Sequence, residues 1–238
     1  MGRAYEVRKA SIQKNGAIKA KLYSNYAKEI YLAAKKGVPE IDLNINLKRM
    51  VDKAKKEQVP NDIIKRAIDK AKGAGQDEYT EVIYEGFGPG ASTFIIKTLT
   101  DNVNRTVGEV RAAFNKVHKS LGVTNSVAYN YDYLAIISFK SNEEEKILDE
   151  LLSNGIEIID IETDDEEVTI TADPKDISKV KDMLEKMYPN IDYTYDEVGN
   201  FAKEEITLDG EDRMLYDRLY NLLDEIEDVT AIYTNVKD

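Results

Sequence analysis

The residues able to do covalent or metal chemistry are few: the 238-residue chain has no cysteine and a single histidine, His118. The lack of cysteine removes disulfide scaffolds, thiol nucleophiles, iron–sulfur clusters and thiolate zinc sites. One histidine supplies no ligand set, and no nucleophile motif surrounds it to complete a catalytic relay. The glycine-rich GFGPG at 86–90 could expose backbone N–H groups to a phosphate. A phosphate loop leads from strand into helix, however, and Gly90 leads into a second β-like run, so a hairpin turn is expected. The acidic run Asp164, Asp165, Glu166 and Glu167 lacks the alternating ligands and central glycine of a calcium loop and reads as a solvated turn. No metal, no cofactor and no enzymatic activity are expected.

What remains is electrostatic binding. The whole chain carries 33 Lys+Arg against 45 Asp+Glu, a net charge of −12, but the sign is segregated. The first 75 residues hold 18 basic and 8 acidic side chains, a balance of +10, which leaves −22 for the rest. A basic lobe can hold a polyanion while an acidic body a few nanometres away barely opposes it, because screening acts over about 8 Å at physiological salt. Lys21, Lys28 and Lys35 recur every seven residues opposite an apolar face of Ile18, Leu22, Tyr26, Ile30 and Ala33, with Lys14 and Lys19 nearby. This nearly single-sign stripe, preceded by Arg3, Arg8 and Lys9, is a candidate phosphate-binding surface.

The elements that position these cations follow from periodicity. A first helix over 17–36 ends at Gly37 and Pro39; a second, capped by Asp42 or Asn44, runs to about Glu57; a third opens at Pro60–Asn61 and stops at Gly73. They form a small bundle with Lys48, Arg49, Lys53, Lys65, Arg66 and Lys72 facing out. After the Gly-Ala-Gly joint at 73–75 the pattern turns to strands at 79–86 and 92–100, a helix over 103–118 and a strand near 126–131. In that helix Arg105 occupies the first turn, against the dipole. With Arg111 and Lys116 it is either a second phosphate site or the i+4 partner of Glu109.

Residues 133–140, 143–153, 156–162, 167–172, 176–187 and 191–196 read β-α-β-β-α-β, the ferredoxin-like order. A last helix, 210–226, and strand, 229–235, lack partners inside that unit, so they are expected to return to the earlier sheet. The fold class is thus α+β: an N-terminal three-helix bundle and two α/β sandwiches, the ferredoxin-like one inserted in the other. The expected domains are 1–76, a discontinuous 77–131 with 201–238, and an inserted 132–200. Apolar runs such as LAII at 134–137 are far shorter than the ~18 residues of a membrane span. MGRAYEVRKA has no secretory apolar region, and Glu6 stands where myristoylation needs Ser or Thr. A cytoplasmic protein without membrane contact is expected.

Several long strings are shared with a known family. VPNDIIKRAIDKAKG at 59–73, YEGFGPG at 84–90, LTDNVNRTVGEVRAAFNK at 99–116, SVAY at 126–129 and LYNLLDEIEDVTAIYTNV at 219–236 occur in order. On these the chain resembles the YebC/PmpR family, related to the mitochondrial translational activator of cytochrome oxidase. MGRAYEVRKA and GFGPG are similar to its YeeN branch. It departs where the usual Gly-Gly after the middle helix is replaced by His118, Lys119 and Ser120, and where the closing acidic run shrinks to Glu227 and Asp228. The resemblance implies the three-part fold above and a non-enzymatic, DNA-binding regulator of transcription. The alternative it leaves open is a ribosome-associated translation factor that binds ribosomal or transfer RNA and relieves stalling. The expected nucleic-acid contacts are the cations of the N-terminal helices, extended by Arg105, Arg111 and Lys116.

Overall fold

The computed structural model describes residues 19–73 and 79–237. Helices α1 (Lys19–Lys35), α2 (Ile45–Lys56) and α3 (Asn61–Lys72) pack around Tyr26, Ile30, Ala34, Leu47, Val51, Ala54, Ile64, Ala67 and Ile68. Of the two candidate caps, Asn44 takes the role. Its Oδ1 accepts from Leu47 N at 3.1 Å while its Nδ2 donates to the carbonyls of Ala33 and Val38, fastening the end of α1 to the start of α2.

Strands β1 (Thr80–Phe87) and β2 (Thr93–Thr100) form an antiparallel hairpin through the glycine-rich turn. Gly90 adopts φ +57, and a Cβ on Gly86 would lie 2.5 Å from the Phe114 ring. Those glycines serve a turn and a close approach rather than a phosphate. Helix α4 (Val103–Asn115), the short β3 (Ser120–Leu121), helix α7 (Gly210–Asp224) and β8 (Val229–Thr234) complete a sheet of order β3-β1-β2-β8. Phe94, Ile96, Val110, Phe114, Tyr216, Leu219 and Leu223 fill the space between this sheet and α4 and α7. The closing helix and strand do return to the earlier sheet, with β8 antiparallel to β2.

Between β3 and α7 the chain builds a second sheet from β4 (Tyr131–Lys140), β5 (Asp160–Asp164), β6 (Glu167–Ala172) and β7 (Tyr193–Ala202), with helices α5 (Glu144–Ser153) and α6 (Ile177–Met187). Its order, β5-β6-β4-β7, is ferredoxin-like. Alternate residues Ala135, Ile137 and Phe139 of β4 and Val168, Ile170 and Ala172 of β6 meet Ile147, Leu151, Val180 and Leu184 from the helices. The acidic run is the β5–β6 turn, with Asp165 and Glu166 both at positive φ as a type I′ turn requires. The two sheets meet at Ile95, Val127 and Tyr131, and the Tyr131 hydroxyl donates to the Thr93 carbonyl at 2.9 Å. Among the described residues no helix is long and apolar enough to cross a membrane.

Three local expectations are corrected. Residues 126–131 are not a strand of the first sheet; β3 pairs with β1 instead, and a 3-10 turn at 128–130 leads into β4. The cause is Glu85, a buried side chain whose carboxylate accepts from the backbone N–H groups of Asn125, Val127 and Ala128 at 2.7–2.9 Å, donors a ladder would otherwise use. Strand β7 runs on to Ala202 rather than stopping at 196, because β4 begins at Tyr131 and pairs it that far, Tyr131 opposite Ala202; Gly199 lets it pass the Tyr233 ring, 2.6 Å from where a Cβ would stand. Helix α4 ends at Asn115, not 118: His118 takes φ +57, and Lys119 N donates back to the Phe114 carbonyl at 3.0 Å.

That left-handed position normally favours glycine, which the residue type here does not supply. His118→Gly is expected to raise unfolding stability by about 0.5–1 kcal/mol in a urea titration, the relief of the left-handed penalty exceeding glycine's extra unfolded-state entropy.

Candidate nucleic-acid interface

The expected cations separate into two groups once folded. The first is spent within the chain. Lys28 is buried, with Nζ donating to the Glu227 carbonyl at 2.8 Å and lying 3.4 Å from Asp228 Oδ1. About two helical turns earlier, Lys21 reaches Asp224 Oδ1 at 2.8 Å. On α2, Arg49 pairs with Asp182 at 2.6 Å and Glu185 at 3.5 Å of α6, Lys53 donates to the Asp196 carbonyl at 2.6 Å, and Lys56 pairs with Asp192. The idea of a single solvent-facing stripe is therefore corrected. Lys21 and Lys28 bind the bundle to the end of α7 and the start of β8, while Arg49 and Lys53 bind it to the ferredoxin-like unit and are half-buried rather than facing out.

The C-terminal side of this contact is built around Asp228. Its carboxylate accepts from Arg105 at 2.6 Å, Thr106 Oγ1 at 2.8 Å and Thr100 Oγ1 at 3.0 Å, and faces Lys28. Arg105 also pairs with Asp101 at 2.9 Å, so its partners are these two acids and not Glu109. That pairing explains a cation in the first turn of α4, whose cap is Asn102 accepting from Arg105 N at 3.1 Å. Burial pushes the Asp228 carboxyl up, but the hydrogen bonds from Arg105, Thr106 and Thr100 and the charge of Lys28 outweigh it and hold the group below its ordinary value. The same balance operates at Asp196, where burial is outweighed by Lys53, Lys181 and Arg49. A cleft of about 630 Å³ borders this cluster, lined by Lys28, Arg105 and Lys116 but also by Asp101, Glu109, Glu225, Glu227 and Asp228. The surplus of carboxylates makes it a poor phosphate seat.

The second group stays at the surface. Lys35, Lys48, Lys65, Arg66 and Lys72 of the bundle, Arg111 of α4 and Lys116 just after it are exposed. Arg66 pairs with Asp62 and Lys72 with Asp69 within α3, surface contacts worth about 0–1 kcal/mol each that a phosphate can replace. Arg3, Arg8, Lys9 and Lys14 lie outside the described residues, as does the side chain of Lys19. Among the described residues no group of three or more His, Asp or Glu is arranged to hold a metal ion.

Comparison with known proteins decides the family. Residues 3–74 match the model of the TACO1/YebC protein N-terminal domain and residues 79–236 that of the TACO1/YebC second and third domain. The chain belongs to the TACO1/YebC family. Among its TACO1/YebC relatives, one from Acholeplasma laidlawii is 44% identical over 237 residues, covering 99% of this chain and 98% of its own length. One from Vibrio parahaemolyticus is 39% identical over 237 residues, covering each chain in full. Both are described as probable transcriptional regulatory proteins. The fold is also that of a solved structure, a conserved hypothetical protein from Aquifex aeolicus, at TM-score 0.74 and 30% identity over 94% of this chain and 92% of that one. For this TACO1/YebC chain, Glu85, Asp224 and Asp228 are the side chains holding the structure together that reading the cations alone passes over. For Asp224 and Asp228 the signal was present, since a +10 segment joined to a −22 remainder can satisfy its charge within the chain before it meets a ligand; Glu85, whose partners are backbone N–H groups, carried no such signal.

Proposed function

We propose that the protein is a non-enzymatic, cytoplasmic regulator of transcription that binds duplex DNA through the backbone phosphates. The observation that carries this reading is the set of cations that stay exposed on the bundle, Lys35, Lys48, Lys65 and Arg66, the last in a surface pair with Asp62, while Lys21, Lys28 and Arg49 are held by other lobes. The names of the relatives support it. The basic residues before α1, Arg3, Arg8, Lys9 and Lys14 with Lys19, extend this footprint, and Arg111 and Lys116 supply a second contact at the C-terminal end of α4. Lys21, Lys28, Arg49, Lys53 and Arg105 instead hold the lobes in place, so that the bundle unit, 1–76, is presented on the units spanning 77–131 with 201–238 and 132–200. Phosphate contacts position without reading sequence, so target choice comes from whatever base contacts the docked bundle makes.

Crosslinking the tagged protein to nucleic acid in cells and sequencing what is bound tests this, alongside a Lys35/Lys48/Lys65→Glu variant. Reversing those three avoids Lys28, where a glutamate would face Asp228 in a buried site. The expected result is recovery of promoter DNA that the variant loses; recovery of ribosomal or transfer RNA instead would overturn the transcriptional reading.

A further inference from the structure

We propose that the cleft between α1 and α3 binds an unpaired nucleobase, with the attached phosphate held at its rim by Arg66 and Lys70. The proposal rests on the nucleic-acid reading above and adds to it a site for a base rather than for the backbone. The cleft has a volume of about 520 Å³, inside the range of roughly 300–1,000 Å³ typical of small-ligand sites. Its walls carry three tyrosines, Tyr23, Tyr31 and Tyr79. Tyr31 and Tyr79 stand edge to face with centroids 5.4 Å apart, so that one ring is braced by the other. Tyr31 is buried, whereas Tyr23 and Tyr79 are half-buried and present ring surface to the cleft.

The charge is arranged to orient a nucleotide. Lys70 Nζ sits 4.7 Å from the Tyr79 centroid and 5.9 Å from that of Tyr31, and Arg66 borders the same opening; both side chains are exposed. A base that takes the ring face covered by the ammonium leaves Lys70 to meet the phosphate that follows it. Glu227, an exposed carboxylate, borders the same cleft, where it repels phosphate and accepts from N–H or O–H donors. Phosphate is therefore favoured at Arg66 and Lys70 and the base at the tyrosine rings. Paired bases have their faces stacked inside the duplex and offer none to a tyrosine, whereas unpaired bases stack on aromatic rings in a sequence-tolerant manner. Alternating rings and cations of this kind are what such strands require.

The test uses the full chain and four labelled probes: a single-stranded octamer in deoxyribose and in ribose form, an abasic sugar-phosphate octamer of equal charge, and a duplex of the same sequence. The base-bearing octamers are expected to bind about 5- to 100-fold more tightly than the abasic one. Tyr79→Ala and Tyr23→Ala are each expected to narrow that gap while leaving duplex binding unchanged, and Tyr79→Phe, which keeps the ring, to preserve it. A gap in both sugar forms, or in one alone, supports the site, and a gap confined to one tells which nucleic acid supplies the base. Equal binding of abasic and base-bearing octamers, or a gap that both Tyr→Ala variants leave intact, overturns the proposal. If the duplex binds while the gap is absent, only the base site fails; if no probe binds, the nucleic-acid reading fails and the base site with it.

Discussion

Asp228→Ala is expected to lower unfolding stability by about 3–5 kcal/mol, measured by urea denaturation at neutral pH. The side chain is buried, and its removal leaves the Lys28 ammonium in a buried site facing no carboxylate while the hydroxyls of Thr100 and Thr106 lose their acceptor. Breaking one side of a buried pair costs far more than the pair contributes against an apolar replacement, because the surviving charge stays desolvated. A loss under about 1 kcal/mol would show that the Asp228 cluster does not hold the bundle in place. The same group gives a pH signature. Its folded value is depressed below the ~3.9 of an unfolded aspartate, so its stabilising contribution is complete above that value and disappears as pH falls through the folded one. The difference in stability between wild type and Asp228→Asn is therefore expected to be constant near neutrality and to shrink below about pH 4. A difference that grows on acidification would contradict the assignment.

Glu85→Ala is expected to cost about 3–4 kcal/mol, since three backbone N–H groups lose a charged acceptor in a buried loop, each such loss being worth roughly 1–3 kcal/mol before water refills part of the space. Glu85→Gln keeps the shape and one good acceptor oxygen and should lose about half as much. Hydrogen exchange gives the local readout: the amides of Asn125, Val127 and Ala128 should lose protection in both variants. Unchanged protection at those three would mean that the loop is held by something other than Glu85.

How much of this was legible in the sequence depends on the range of the interaction. The bundle helices, the hairpin at GFGPG and the β-α-β-β-α-β order follow from periods of 3.6 and 2 and from turn residues, all local properties. The return of β8 to β2 was reachable too, because a helix and strand without partners must find a sheet edge. Glu85 was not reachable, since its partners lie some forty residues onward and are backbone groups without a sequence signature. The lysine stripe shows the same limit in the site. Its spacing correctly set Lys21 and Lys28 apart from the bundle core, but a helix face turned away from its own core can meet another lobe as well as solvent. Asp224 and Asp228, about two hundred residues away, take that face. Arg105 points the same way: a residue misplaced by local rules marked a structurally important contact, with Asp228 rather than a phosphate as its partner.

The central claim is that exposed bundle cations, and not the paired ones, hold backbone phosphate. Its most direct measurement is the affinity for duplex DNA as a function of salt, for wild type and Lys35/Lys48/Lys65→Glu. With about five phosphate contacts, the log–log slope for wild type is expected near −4 to −5, and the triple variant should be shallower by about 3. A wild-type slope near zero, or a slope that the three reversals leave unchanged, would contradict the account.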